Sequence, residues 1–306
     1  MGFQHENASA GGQLVKIWIL INGRSPNSIE RAELLVRAAT KLSADAEVID
    51  VSTSNRCALP IPSRGDALYN ATRGGLRLED WLWRPGVVTF WRDGIAPRAL
   101  QDTTRWIPFH DRAGIKQPRT IPHCTSNREL LTSYVAALGG LPVVIKIADS
   151  TLGRGVMRVD SLESLFSVAD HLEIEEQEYI LREYIYSETT ARLMVVGSRV
   201  VGALRYLTPQ DDFRTNAIGS LPGVLHHYPS SVNDFAVEAV RAIGAELGGV
   251  DIAFAGDGSP TLLEVNVPCG FARFEHLGVP VAAAMIEHLV QKSKVGPDNA
   301  AESRNL

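Results

Sequence analysis

The feature that most constrains the fold is a pair of short apolar runs with acids embedded in them. They are Gly248-Gly249-Val250-Asp251-Ile252-Ala253-Phe254 and Thr261-Leu262-Leu263-Glu264-Val265-Asn266, separated by Gly256-Asp257-Gly258-Ser259-Pro260. Apolar runs of this length, bounded by glycine and proline, predict two buried strands of a hairpin. Glu264 and Asn266 are two apart and so share one strand face. Pairing through the turn allows Asp251 to lie opposite them. A carboxylate inside an apolar strand is costly unless its charge is compensated. Two explanations stand at this level. The acids face solvent at the strand ends, or Asp251, Glu264 and Asn266 form an all-oxygen set for Mg²⁺, which binds few carboxylates plus substrate phosphates.

The chain has 306 residues, enough for two or three domains with cores of their own. Its net charge of −5 argues against a nucleic-acid partner. Cys57, Cys124 and Cys269 are scattered and form neither a disulfide framework nor a metal spacing, which fits a reducing cytoplasm. No apolar run reaches transmembrane length, so no membrane partner is expected. Residues 1–13 are polar and glycine-rich, without the basic and apolar regions of a signal peptide. They and residues 292–306 are expected to be disordered tails.

Residues 14–21 predict a first strand, and Asn27 with Glu30 a capping box. Ile29, Ala32, Leu35, Ala39 and Leu42 then keep helical spacing, and residues 46–51 predict a second strand. This β-α-β order opens a parallel sheet, without a glycine-rich dinucleotide fingerprint. Residues 52–86 are broken by Pro60, Pro62, Gly65, Gly74 and Gly75, with one short run at 67–69. Trp81, Trp83, Trp91 and Trp106 lie around a predicted strand at 87–91, and this aromatic group reads as core rather than as a ligand pocket.

From Lys116 the pattern changes. Residues 119–122 are extended, and Ser126 with Glu129 caps a helix that runs to Leu138 and stops at Gly139-Gly140. Strands follow at 142–147 and 155–159, then a helix capped by Asp160 and Glu163 to about 172, then a strand at 179–185. Residues 192–196 and 200–207 form a hairpin around Gly197-Ser198. A helix at 232–247 leads into the acidic hairpin, and a last helix spans 281–291. The predicted class is α/β, a multidomain α+β chain. An N-terminal parallel-sheet domain covers 14–115, a small central α+β module 116–186, and a C-terminal mixed-sheet α+β domain 187–291.

Lys146 lies in the apolar strand Val143-Val144-Ile145-Lys146-Ile147, where a lysine is expensive unless its ammonium meets an anion. Asp149-Ser150-Thr151-Leu152-Gly153-Arg154-Gly155 follows at once, a flexible loop whose N–H groups can cradle phosphate. It is not a Walker loop, because the lysine precedes the glycines and a strand follows. In Asp211-Asp212-Phe213-Arg214-Thr215-Asn216, Arg214 and Asn216 can contact a phosphoryl group, or the segment is a solvated turn. His226-His227 lacks a third ligand at useful spacing and reads as surface. No nucleophile-elbow or HExxH motif is present.

Taken together, Pro142-Val143-Val144-Ile145-Lys146, Gly153-Arg154-Gly155, Arg182-Glu183-Tyr184-Ile185, Asp212-Phe213-Arg214-Thr215-Asn216, Gly249-Val250-Asp251 and Glu264-Val265-Asn266 resemble the ATP-grasp superfamily. The branch resembled is that of the RimK-type carboxylate–amine ligases. The resemblance is dense from about Gly114 to Leu289. It implies ATP bound between the central module, which acts as a lid, and the C-terminal domain. Lys146 would contact its phosphates under a loop containing Ser150, Thr151, Gly153, Arg154 and Gly155. Glu183, Tyr184 and Ile185 would be the adenine hinge, partly through backbone groups, with Glu188 or Thr190 near the ribose. Arg192 and Arg214 would hold the γ-phosphate and an acyl phosphate, Thr215 and Asn216 lying beside them. Asp251, Glu264 and Asn266 would bind two Mg²⁺, or Mn²⁺ in their place, with Glu264 bridging.

The implied reaction makes an amide or peptide bond through an acyl phosphate, releasing ADP and phosphate. Relatives of this kind are often homodimers or homotetramers. The chain departs from the family pattern in three places. The usual Asp-Lys pair reads Asp102-Thr103, with Arg105 a candidate substitute. A basic residue near the paired glycines is replaced by Ala217-Ile218-Gly219-Ser220, and the usual Ser-Pro-Gly by Val267-Pro268-Cys269-Gly270. The altered loops point to an amino-acid or small-peptide substrate, with specialised metabolism as its setting. Glutamate addition to a protein C-terminus is the alternative substrate. Thr103 supports a second class, a nucleotide-binding regulator or partner subunit without catalysis. A phosphotransferase on the same fold is a third. Cys269 reads as a loop filler rather than a reactive thiol.

Overall fold

The computed structural model describes residues 14–72, 74–94, 103–148, 154–214 and 222–295. Three sheets organise the described residues. The first is parallel, in the order β2-β1-β3, from β1 (Lys16–Ile21), β2 (Asp45–Asp50) and β3 (Ala67–Asn70). Helices α1 (Pro26–Lys41) and α2 (Leu76–Leu82) belong to this unit. The apolar β1 is buried on both faces, as a strand of a parallel sheet must be. Ile17 and Ile19 meet one core with Leu35 of α1, while Trp18 and Leu20 meet another with Leu78 and Leu82 of α2.

Helix α3 (Ile107–Arg112) leads to the central sheet, β4-β7-β5-β6, which is antiparallel. Its strands are β4 (Thr120–Ile121), β5 (Val143–Ile147), β6 (Val156–Val159) and β7 (Tyr179–Glu183). Helices α4 (Arg128–Ala137) and α5 (Leu162–Ile174) pack on it through Leu131, Val135, Leu165 and Ala169, a core separate from the others.

The third sheet has the order β10-β9-β8-β11-β12. It contains β8 (Thr189–Val196), β9 (Arg199–Leu207), β10 (Val224–Leu225), β11 (Leu247–Phe254) and β12 (Pro260–Asn266). All its described pairings are antiparallel, where a mixed sheet was expected. Hairpin turns join β8 to β9 and β11 to β12, and α6 (Ser230–Ala242) returns the chain so that β11 runs against β8. One face packs on α6 through Ala236, Ala239 and Val240. The other shares a core with β1, α1, α7 (Ala272–His276) and α8 (Val281–Val295), so the first and third sheets have no apolar boundary between them.

Several boundaries differ from the sequence expectation. Ser25, Asn127 and Ser161 occupy the N-cap positions, not Asn27, Ser126 and Asp160. The Asn127 and Ser161 side chains accept from the N–H three residues on, as a cap should. Helix α6 stops at Ala242 rather than 247, because Gly244 takes a left-handed φ of 73°. Helix α8 runs past 291, and Lys292 donates to Thr89 O and Trp91 O, both at 2.9 Å, where a tail was expected. The tryptophans divide: Trp91 and Trp106 are core, Trp83 is half-buried, and Trp81 is 70% exposed. Residues 87–91 form single bridges at Val88 and Trp91 instead of a strand. Among the described residues, no helix is long and apolar enough to cross a membrane.

Candidate active site

Strand β11 pairs Asp251 with Glu264 of β12 on one side and with Arg192 of β8 on the other. The three residues therefore stand abreast across three strands. Gly249 of β11 pairs with Asn266, two residues along the same face. Glycine is needed at the neighbouring Gly248, where a Cβ would lie 2.7 Å from Val240 of α6. The acidic strand is thus held flat against its helix.

Arg192 grips Asp251 with two hydrogen bonds, Nε to Oδ1 at 2.7 Å and Nη2 to Oδ2 at 2.5 Å. The fourth contributor comes from another sheet. Lys146 of β5 donates to Glu264 Oε2 at 2.9 Å and to Thr103 Oγ1 at 3.1 Å. Asn266 Nδ2 ties the two acids together, 3.2 Å from Asp251 Oδ2 and 3.1 Å from Glu264 Oε1. Asp251 is 9% exposed and Asn266 7%. Burial opposes ionisation of Glu264, but Lys146, with Asn266 and Arg192, outweighs it and draws the carboxyl down to about 2. Burial likewise pushes Asp251 upward against the pull of Arg192. The strand lysine and the strand acids foreseen in the sequence thus compensate one another.

These residues fit a hard cation. Asp251 and Glu264 offer buried carboxylate oxygens side by side, and half a turn of the Asn266 amide presents its carbonyl oxygen to the same point. No group of three or more His, Cys, Asp and Glu residues suited to a metal occurs among the described residues. The set is therefore not a closed protein cage. It suits Mg²⁺, which leaves most of its positions to water and phosphate.

The other expected residues fall into separate groups. Arg214 is bonded to Asp212, Nη2 to Oδ2 at 2.8 Å and Nε to Oδ1 at 3.0 Å. Tyr184 meets Phe213 edge-on with ring centroids 6.1 Å apart, which brings the 183–185 segment beside Arg214. The Arg158 guanidinium lies over the Tyr184 ring at 4.7 Å. Glu183 is held by Arg119. Arg119 takes its carboxylate through Nε and Nη2, at 3.0 and 3.1 Å, and accepts its backbone N–H at 2.9 Å. Its carboxylate and its N–H are therefore engaged within the central sheet. Ile185 is half-buried, whereas Glu188 and Arg154 are exposed. Gly155 O accepts from Ile147 N at 2.9 Å. Ser150, Thr151, Gly153, Thr215, Asn216, Asp102 and residues 217–220 lie outside the described residues.

Three contacts escape the sequence. Thr103 supplies a hydroxyl to Lys146. Buried Arg182 of β7 donates to Leu263 O at 3.0 Å, so adjacent residues of β12 receive cations from two strands of the central sheet. Burial lowers Arg182 to about 10, against the pull of Glu264. Asp212 clamps Arg214 through a turn-type bond to its N–H at 2.9 Å, and only its adjacency could have signalled this. Cys269 is 1% exposed, burial raises its thiol to about 11, and it fills space beside Met194.

A parallel N-terminal sheet, a small antiparallel module, and a larger antiparallel sheet whose acids face a lysine of that module define a protein of the ATP-grasp ligase class. The chain belongs to the RimK-like ATP-grasp family, whose model matches residues 101–289. It is 26% identical over 302 residues to a probable alpha-L-glutamate ligase 2 of Pseudoalteromonas atlantica, covering 93% of this chain and 98% of that one. It is 30% identical over 200 residues to a ribosomal protein bS6–L-glutamate ligase of Salmonella paratyphi B, covering 64% and 65%. Its fold matches the ATP-grasp ligase PsnB, solved in complex with a phosphomimetic variant of a minimal precursor, Mg and ADP. That match has a TM-score of 0.66 at 16% identity, over 92% of this chain and 100% of that one.

Proposed function

We propose that this chain is an ATP-dependent carboxylate–amine ligase that joins an amino acid or small peptide to an amine through an acyl phosphate. The observation that carries this reading is the meeting of Lys146 with Glu264 across two sheets, beside the Arg192–Asp251 pair. A substrate carboxylate attacks the γ-phosphorus of ATP, and ADP leaves. The amine then attacks the acyl carbon, a proton leaves the nitrogen, and phosphate departs as the amide forms. The protein's part is to position groups, stabilise charge and exclude water.

Asp251, Glu264 and Asn266 would hold two Mg²⁺, and Mg²⁺ neutralises charge on the phosphoryl oxygens when bound. With the acids so engaged, the Lys146 ammonium and the Arg192 fork turn to phosphate oxygens, the fork suiting two oxygens at once. Arg214 joins them from the 212–214 segment. Glu183, Tyr184 and Ile185 serve as the adenine hinge partly through backbone groups, the Glu183 carboxylate and N–H being engaged by Arg119. Glu188 or Thr190 serves the ribose, and the segment bearing Ser150, Thr151, Gly153, Arg154 and Gly155 covers the phosphates.

The acid or amine is proposed to be an amino acid or peptide rather than a ribosomal protein tail. The segment after Asn266, Val267-Pro268-Cys269-Gly270, departs from the family pattern, and PsnB has also been solved with a precursor peptide and AMPPNP. We place the reaction in the cytoplasm, with homodimers or homotetramers as the assembly. Thr103 favours one competing reading, a nucleotide-binding protein without turnover, because it puts a neutral hydroxyl where the family carries lysine. The two part in one experiment. Purified protein with Mg-ATP is given amino acids singly and in pairs, with ADP, phosphate and product mass followed. Turnover that needs two substrates and yields their summed mass less water supports the ligase. ADP binding with no product from any pair supports the alternative.

A further inference from the structure

The sheet face that carries the candidate site runs on to two helices. Arg192 and Met194 of β8 share this face with Asp251 and Gly249 of β11. Met194 already belongs to the core that the same face makes with α1 and α7. Each of these helices brings an arginine to the region.

Arg31 of α1 donates from Nη1 to Cys269 O at 3.3 Å and from Nε to Asn27 O at 3.0 Å. Cys269 lies over the acidic strand. A Cβ on Gly249 would stand 3.1 Å from Cys269 Cβ, and the Cys269 sulfur is 3.6 Å from Met194 Sδ. Arg273 of α7 donates from Nη2 to Gly223 O at 3.2 Å. Gly223 packs on the Tyr206 ring, 2.6 Å from where its Cβ would be. Tyr206 pairs with Thr190, two residues from Arg192 on the same face. The two arginines therefore approach the Arg192–Asp251 pair from different sides. The electrostatics agree. Burial raises the Cys269 thiol, and Arg31 and Arg192 both act against that rise. Burial raises the Tyr206 phenol, and Arg192 and Arg273 both act against it.

Neither Arg31 nor Arg273 has a carboxylate partner among the described residues. Both are bonded to carbonyl oxygens, which leaves most of each guanidinium fork unspent. The acids of the same helices are engaged elsewhere. Glu30 Oε1 lies 2.9 Å from His276 Nε2, Glu33 lies 4.0 Å from Arg37, and Glu275 accepts from Ala282 N at 2.6 Å. There is room for a ligand beside them. Gly270, which follows Cys269 and precedes Arg273 by three residues, is exposed, and a Cβ there would meet nothing within 4 Å. An arginine fork that no acid occupies, beside open space, matches a carboxylate.

We propose that Arg31 is a specificity-determining residue that holds a substrate carboxylate taking no part in the reaction, with Arg273 adding positive charge from another side. The assignment rests on the ligase reading. It makes the substrate an amino acid or peptide that still carries a free carboxylate after the amide has formed, and it disfavours simple amines. Binding tests it without turnover.

The probe is glutarate, compared with glutaramate, which replaces one carboxylate by a neutral amide of the same shape. Both are titrated at matched ionic strength into the full-length protein with Mg-ADP, and thermal stabilisation gives the two affinities. The wild type is expected to bind glutarate at least about tenfold more tightly than glutaramate. Arg31→Gln is expected to lose at least about tenfold in glutarate affinity and to change glutaramate by less than about twofold. Arg31→Lys, which keeps the charge, is expected to recover part of the loss, and Arg273→Gln to weaken glutarate by about threefold. Unchanged ADP affinity in each variant shows that the fold and the nucleotide site persist. Equal binding of the two probes by the wild type, or a glutarate preference that survives R31Q, overturns the proposal. A glutarate preference abolished by R31Q in a protein that makes no amide contradicts the ligase reading while the carboxylate subsite stands.

Discussion

Lys146 and Glu264 are 118 residues apart, on different sheets, and their side chains meet at 2.9 Å. The contact fastens the central module to the strand that carries the candidate metal ligands. It also keeps the cation proposed for phosphate and the anion proposed for metal neutralised by each other. On the proposed reading, both partners change company when Mg-ATP binds.

Replacing Lys146 by alanine strands the Glu264 carboxylate. Lys146→Ala is expected to lower stability by about 1–3 kcal/mol and to weaken Mg-ADP binding at least about tenfold. The sign of its pH dependence follows from Glu264. The folded-state pKa of about 2 lies below the ordinary 4.5, so the pair's contribution is present above 4.5 and is lost as pH falls toward 2. In K146A the folded-state pKa rises toward or above 4.5, so this acid-side loss shrinks or disappears. Urea unfolding at several pH values and calorimetry with ADP measure both effects.

Arg192→Lys keeps the charge and loses the fork. Asp251 accepts two bonds from the guanidinium, at 2.7 and 2.5 Å, and a lysine cannot reproduce them. The expected result is a fall in kcat of about tenfold to a hundredfold, with ADP binding changed by less than about threefold, since the fork is proposed to act on the transferring group. An equal loss in both would place Arg192 on the nucleotide as a whole.

Thr103 tests the departure from the family pattern. Its hydroxyl accepts from Lys146 at 3.1 Å. Thr103→Val is expected to cost about 1 kcal/mol or less and to raise the KM for ATP by no more than about fivefold. Thr103→Lys places a second ammonium beside Lys146, and is expected to destabilise the free protein while strengthening Mg-ATP binding. Steady-state kinetics and thermal unfolding, each with and without nucleotide, read the two effects.

Glu79 gives the opposite pH sign from Glu264. Its folded-state pKa of about 7 is raised above 4.5, so its contribution to stability is fully present below 4.5 and is lost as pH rises through 7. Glu79→Gln cannot ionise. It is expected to be more stable than the wild type above pH 7, by up to about 3 kcal/mol, and to lose this advantage below pH 4.5. Thermal melts across that range measure it.

The acidic hairpin was legible because charge inside an apolar run is conspicuous, and strand periodicity alone puts Glu264 and Asn266 on one face. Lys146 was legible for the same reason. The helix caps slipped because Ser25, Asn127 and Ser161 each adjoin or closely precede another residue that can cap, and only backbone geometry chooses between them. The pairs Arg119–Glu183 and Arg182–Leu263 were not legible, since they depend on how β4 meets β7 and how the central sheet meets β12. Glu79 was hidden differently. It sits in a short helix after Gly74-Gly75, next to Arg77 and Asp80, and reads there as an ordinary surface acid.

Oxygen transfer tests the central claim most directly. The carboxylate substrate that supports turnover is labelled with ¹⁸O, and the released phosphate is weighed by mass spectrometry. An acyl phosphate passes one carboxylate oxygen to phosphate when the amine displaces it, so labelled phosphate in step with amide formation is the predicted result. Unlabelled phosphate, with the label wholly kept in the product and the unused substrate, would contradict the mechanism built on Lys146, Arg192, Asp251, Glu264 and Asn266.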